Sequence, residues 1–185
     1  MLRATCALFV TTIVLAGCGE DGDARYAGWT VYDAPGGEYR VRFLDPPWFI
    51  VSAEGAVLEL EIESNAEHFR PGSSAPPKYE FRATIGAGSA ESSIAAEQAA
   101  AIGRGEGILA GPRAVTTEAG DRGRELLTEQ LSGDRTRYLR YVYLDRSRGG
   151  VVSLWFEGNP DLDEAEIDVM IASVEVDPEP AEDEE

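Results

Sequence analysis

The residues able to do chemistry are few and scattered. His68 is the single histidine, and Cys6 and Cys18 are the two cysteines. His68 stands between Ser64 and Pro77 among prolines, glycines and serines, and no G-x-S-x-G or S-x-x-K run supplies a nucleophile for a Ser-His-Asp triad. It is read as a loop residue. Gly86-Ala87-Gly88-Ser89-Ala90-Glu91 has the opening of a dinucleotide-binding turn, but Glu91 replaces the third glycine and would repel a pyrophosphate, so a plain connection is expected. Gly103-Arg104-Gly105-Glu106-Gly107 lacks the G-K-[ST] of a phosphate loop and reads as a flexible exit from a helix. Asp161-Leu162-Asp163-Glu164 could gather oxygen ligands for calcium. It lacks the glycine and distal glutamate of a twelve-residue calcium loop, and the acids fit a helix start better. No catalytic residue, metal site or cofactor is expected.

One charge pattern is left. Arg122, Arg124, Arg135, Arg137, Arg140, Arg146 and Arg148 crowd a short stretch against Glu125, Glu129, Asp134 and Asp145. With Tyr138, Tyr141 and Tyr143 among them, Arg124, Arg135, Arg137, Arg140, Arg146 and Arg148 are candidate contacts for an acidic partner or an anionic headgroup. The alternative is that they balance neighbouring acids across strands, or the acidic C-terminus, on a solvated face.

The rest of the chain limits the function classes. With 185 residues, 16 Lys+Arg and 34 Asp+Glu, the formal charge is −18, which repels a phosphate backbone and removes nucleic acid as a partner. The length fits one globular domain. One histidine and two cysteines exclude a zinc finger, an iron–sulfur cluster and a disulfide framework.

The N-terminus carries an address. Met1-Leu2-Arg3 precedes an apolar run from Ala7 to Ala16, too short to span a bilayer of about 30 Å, which then meets Gly17-Cys18. Leu15-Ala16-Gly17-Cys18 resembles the lipobox of bacterial lipoproteins, in which the cysteine thiol is diacylated, the preceding peptide removed and the new amino terminus acylated. The resemblance implies a signal peptide over 1–17 and a lipid on Cys18. Two or three acyl chains hold a domain on a membrane stably where one does not. Residues 18–25 then form the lipidated cysteine and a polar, glycine-bearing tether. Residues 26–176 form the domain, and 177–185, with six acids and no apolar residue larger than Ala, an acidic disordered tail.

Within the domain, Tyr39, Val41 and Phe43 alternate with Arg40 and Arg42, and Leu58, Leu60 and Ile62 with Glu59, Glu61 and Glu63. Period-two alternation predicts strands with one wet face. Strands are also expected at Trp48–Val51 and Tyr79–Ile85. An Ala-rich helix should follow over Glu91–Ile102, capped by Ser92 or Ser93, stopped at Gly103, and packing Ile94, Gln98, Ala101 and Ile102. Two hairpins are expected next, Ala114–Thr117 with Arg124–Gln130 and Arg137–Asp145 with Val151–Glu157, the second turning on Gly149-Gly150. Val151 to Phe156 is apolar on both faces and should be central. Ile167, Met170, Ile171 and Val174 at helical spacing predict a C-terminal amphipathic helix, starting at about Pro160.

The fold class is therefore α+β, a mainly antiparallel sheet of about six or more strands flanked by helices. Tyr39-Arg40-Val41-Arg42-Phe43 running into Pro46-Pro47-Trp48, the mid-chain helix, and the ending Ile167-Asp168-Val169-Met170-Ile171-Ala172-Ser173-Val174 resemble the PsbP-like family, named for an extrinsic photosystem II subunit and including bacterial lipoproteins. That resemblance, over about Tyr39 to Val176, implies an α/β/α sandwich and a non-enzymatic docking or assembly module. The expected protein is an envelope lipoprotein, its domain in the periplasm or extracytoplasmic space, with another envelope protein as partner. The alternative is a small-ligand carrier or an enzyme on the same sheet.

Overall fold

The computed structural model describes residues 26–45, 48–62, 80–132, 135–158 and 164–178. In chain order its elements are β1 (Trp29–Asp33), β2 (Tyr39–Leu44), β3 (Trp48–Glu54), β4 (Val57–Ile62), β5 (Glu80–Gly86), α1 (Ala90–Gly103), β6 (Gly107–Thr116), β7 (Arg122–Ser132), β8 (Arg135–Asp145), β9 (Val151–Gly158), α2 (Glu164–Ala172) and β10 (Glu175–Val176). The α+β class is as expected. The strands form two sheets, however: seven in the order β3-β4-β5-β9-β8-β7-β6, and three in the order β1-β2-β10. Every described pairing is antiparallel.

Alternation decides which way each strand faces. In β2, Tyr39, Val41 and Phe43 are buried while Arg40 and Arg42 are only half-buried. They meet Leu58 and Leu60 of β4, Phe81 and Ala83 of β5, Val142 and Leu144 of β8, and Val152, Leu154 and Phe156 of β9 in the main core. Ile167, Met170 and Ile171 of α2 and Val174 beyond it close the same core. The small sheet and α2 thus cover one face of the large sheet. On its other face Ile94 of α1 packs with Leu126, Leu139 and Tyr141, and Tyr143 and Trp155 flank them. β9 is the middle strand of seven and contributes to both faces, as its two-sided apolar pattern requires.

Several expectations are corrected. The N-cap of α1 is Ser89, three residues ahead of Ser92: the Ser92 amide donates to Ser89 Oγ at 3.2 Å and the Ser89 amide to Ser92 Oγ at 3.0 Å, a reciprocal box. Either serine could cap by composition. Asp145 Oδ1 decides, because it accepts the Ala90 amide at 2.7 Å and fixes the start of the helix. Ile102 is exposed rather than packed, since it lies in the last turn of α1. β6 begins at Gly107, where a flexible exit was expected, and continues past Gly111-Pro112 with two breaks in register. The β8–β9 turn does rest on Gly149 and Gly150, both at φ +87°, a backbone that side chains disfavour.

The C-terminal boundary also moves. Asp177, expected to open a disordered tail, is fixed at φ 47° by its own amide, which donates to Glu38 O at 2.9 Å, and by four donors on its carboxylate. Its neighbour Val176 donates to Asp121 Oδ2 at 2.8 Å. Ser173 ties the end of α2 to β2, donating to Met170 O at 2.7 Å and accepting the Arg42 amide at 3.1 Å. The signal, Cys18, the tether, His68, Asp161, Asp163, the helix start at Pro160 and residues 179–185 lie outside the described residues.

Candidate docking surface

Register scatters the arginines that the sequence groups. Arg124 is opposite Tyr143 and so lies on the α1 face of the sheet, as does Arg137, two residues before Leu139. Arg140, opposite Leu127, shares its face with Val142 and Leu144, on the main-core side. Arg146 and Arg148 follow the far end of β8, in the turn before β9. The six therefore do not make one surface, because odd and even positions on a strand point to opposite sides. The side chain of Arg135 lies outside the described residues.

Most of them face carboxylates of the same chain. Arg124 Nε is 2.6 Å from Glu91 of α1. Arg137 pairs with Glu157. Arg140 is 2.5 Å from Glu125 through Nε and 2.6 Å from Asp168 of α2 through Nη1. Glu125 is buried and also takes Arg113 in a two-pronged contact, at 3.0 and 3.2 Å. Arg146 donates to Asp177 Oδ1 at 3.0 and 2.7 Å, while Ser147 Oγ and the Arg148 amide donate to Oδ2 at 2.9 and 3.2 Å. Burial pushes the Asp177 carboxyl up, and these donors outweigh it, so the net displacement is below the ordinary aspartate value. The alternative set out from sequence, arginines balancing acids and the C-terminus, describes these contacts.

A second cluster escaped the sequence reading. Arg104, just past α1, donates through Nε to Glu106 and through Nη2 to Glu97, both at 2.6 Å, and reaches Tyr141 Oη at 3.0 Å. Thr128 Oγ1 donates to Glu106 at 2.6 Å, and Tyr143 Oη to Glu97 at 3.2 Å. Hydrogen bonds to Glu106 and Glu97 raise the Arg104 guanidinium further above its ordinary value. Burial, then the charge of Glu97, pushes the Tyr143 hydroxyl up to about 12, and burial with Glu106 raises Tyr141. Across neutral pH the two tyrosines stay protonated and Arg104 stays charged. The cluster can hold α1 to the sheet; these three groups do not relay protons there. The only local signal was Arg104 between two glycines, since Thr128 is far along the chain from Glu106.

Three of these pairs place the cation outside. Arg104 leaves 43% of its side chain in solvent over a Glu106 that exposes 1%. Arg113 over Glu125 and Arg137 over Glu157 repeat the arrangement, an exposed guanidinium on a buried acid. A buried carboxylate must be paired, and arginine can do so while keeping part of its five-donor fork in water. At Arg124–Glu91 and Arg140–Asp168 the order is reversed, and the acid is the more exposed member.

No family model matches the chain, and no curated protein matches it. Among solved structures, a crystal structure from Bacteroides thetaiotaomicron VPI-5482 is similar at 9% identity, over 80% of this chain and 48% of that one, with a TM-score of 0.45. The chain spans about half the length of that protein. The Ran-binding protein Mog1p of Saccharomyces cerevisiae is similar at 8% identity, over 80% of this chain and 95% of that one, with a TM-score of 0.50. At that identity the likeness to Mog1p is one of fold.

Proposed function

We propose that this chain is a lipid-anchored protein of the bacterial cell envelope whose PsbP-like domain is a non-enzymatic docking or assembly module for another envelope protein. The observation that carries the reading is Leu15-Ala16-Gly17-Cys18 at the end of the Ala7–Ala16 apolar run, which supplies an address and an anchor together. Among the described residues no helix is long and apolar enough to cross a membrane. In this reading the lipid does the holding, and the C-terminal helix and small sheet form one outer layer of the sandwich and α1 the other.

Docking rather than chemistry is supported by how the polar groups are used. Glu106, Glu125, Glu157 and Asp177 each answer an arginine of the same chain, which suits them to stiffening the sheet. The Mog1p likeness adds that a sandwich of this fold can serve protein binding elsewhere, since that protein is named for binding Ran. The test is affinity purification of the lipidated chain from its native membrane after reversible cross-linking, with Cys18→Ala as control. A partner protein recovered in stoichiometric amount with the wild type is expected. Recovery of the chain alone, together with turnover of a small molecule, would overturn the reading.

A further inference from the structure

The large sheet has two outer strands, and the chain guards them unequally. β6, at one edge, breaks register twice around Gly111-Pro112, and proline offers no amide hydrogen to a neighbour. β3, at the other edge, pairs with β4 alone among the described strands, and Trp48-Phe49-Ile50-Val51-Ser52-Ala53 holds neither a charge nor a proline. Edge strands are commonly blunted by charge, proline or a bulge, because their outward N–H and C=O groups otherwise accept another strand. β3 has one such device: its register with β4 shifts between Ile50 and Ser52, leaving Val51 without an opposite residue. Val51 is 50% exposed and Ile50 40%. From this edge we infer that β3 receives an extended segment of another protein as an added strand, apolar beside Ile50 and Ala53 and basic beside Glu54. The inference rests on the docking reading above and names how the partner binds.

Three observations argue for that occupant. First, the strand is already fixed at both ends. Trp48 is buried and donates through Nε1 to Glu166 of α2 at 2.6 Å, and in the β3–β4 turn the carbonyls of Gly55 and Ala56 accept the hydroxyls of Tyr32 and Tyr39, each at 3.3 Å. Little ordering is then left to do on binding, and backbone groups at strand spacing select an extended chain. Second, charge sets the sign. The hairpin 48–62 carries Glu54, Glu59 and Glu61 and no Lys or Arg. Glu59 is taken by Arg82 of β5, whereas Glu54 is exposed and has no ion pair among the described residues. Ser52 and Glu54, opposite Glu59 and Val57, share one face, while Ile50 and Ala53, opposite Leu60 and Leu58, share the other. An added strand therefore meets a carboxylate on one face and apolar groups on the other, and opposite charges side by side on neighbouring strands attract. Third, a second copy fits poorly. Its own β3 brings no cation to Glu54, and two chains of charge −18 repel each other.

The test uses the full chain in its native envelope, with Val51→p-benzoylphenylalanine as a photocross-linking probe and Leu109→p-benzoylphenylalanine, on the opposite edge strand, as control. Both side chains are about half in water, so both variants should fold. Glu54→Lys and Glu54→Gln, at an exposed position, separate charge from shape. The expected result is an adduct at position 51 whose peptide, read by mass spectrometry, lies in an apolar segment of another protein that contains Lys or Arg. Its yield should fall at least fivefold in Glu54→Lys and less than threefold in Glu54→Gln. In the adduct, the amides of β3 that are not bonded to β4 should exchange with deuterium at least tenfold more slowly than in the free chain, which contact through side chains alone would not produce. Adducts with lipid, with a second copy of this chain, or no more abundant than at position 109 would overturn the inference, as would unchanged exchange or equal yields in the two Glu54 variants. The two readings fail separately: a partner protein captured at position 109 and not at 51 ends this inference and leaves the docking module standing, whereas no protein adduct at either position ends both.

Discussion

Asp177 is the sharpest single test of how the C-terminus is held. Its carboxylate is only 3% exposed and binds both prongs of Arg146, the Ser147 hydroxyl and the Arg148 amide, joining β10 to the β8–β9 turn. Truncation to alanine strands Arg146, itself 12% exposed, without its counter-ion. Removing one member of a buried pair costs about 3–5 kcal/mol, and hydrogen bonds to charged groups about 1.5–3 each way. Arg146 retains a path to water, so about 2–3 kcal/mol is expected for Asp177→Ala. At about 2–4 °C per kcal/mol for a domain of this size, melting should drop by about 5–10 °C. Asp177→Asn keeps the shape and tolerates the left-handed backbone at φ 47°, so it isolates the charge and should cost about half as much. The pH dependence has a definite sign. The folded pKa lies below the ordinary value of 3.8, so the contribution is complete above 3.8 and is lost as pH falls through the folded value. Urea unfolding at neutral pH and near pH 3 should therefore show a gap between wild type and Asp177→Asn that shrinks in acid. An Asp177→Asn protein as stable as wild type at neutral pH, or an undiminished gap near pH 3, would refute the assignment.

Three further outcomes follow from the same contacts. Deleting 178–185 should leave the melting temperature within about 1 °C of wild type while deleting 177–185 lowers it, because the anchoring group is the carboxylate of Asp177; equal melting of the two truncations would contradict this. Arg124→Ala should cost less than about 0.5 kcal/mol, since its partner Glu91 is largely exposed, whereas Arg140→Ala should cost about 2 kcal/mol or more by leaving buried Glu125 short of a cation. Chemical denaturation ranks them, and the reverse order would show that the buried pair is mispositioned. Glu106→Gln should lose about 1–3 kcal/mol in the same assay, as Thr128 and Arg104 both donate to its carboxylate; a neutral effect would mean that the cluster does not bind α1 to the sheet.

What could be read from the sequence was whatever local periodicity encodes. Tyr39-Arg40-Val41-Arg42-Phe43 buries every second residue as a half-wet strand must, and the two-faced run Val151 to Phe156 does sit mid-sheet. β1 and β10 were missed because neither repeats a pattern: β1 is nearly all half-exposed, and β10 has two residues, held by Arg40 and Tyr39 of β2. The first part of β6 was hidden by Gly111-Pro112, which reads as a break and proves to be an irregular edge strand. For the surface, composition located the arginines but not their sides. Arg137 and Arg140 are three apart, so a strand sends them to opposite faces, a distinction that depends on element type. The Arg104–Glu106–Thr128 contacts depend on α1 folding back over β7, which no local motif announces.

Whether a lipid on Cys18 holds the domain to a membrane, as proposed, is read from the intact mass of the N-terminal peptide of membrane-extracted protein. The expected mature chain begins at Cys18, carries a diacylated thiol and an acylated amino terminus, and leaves the membrane fraction completely in Cys18→Ala. A chain that still begins at Met1, an unmodified Cys18, or a Cys18→Ala protein that continues to sediment with membranes would contradict it.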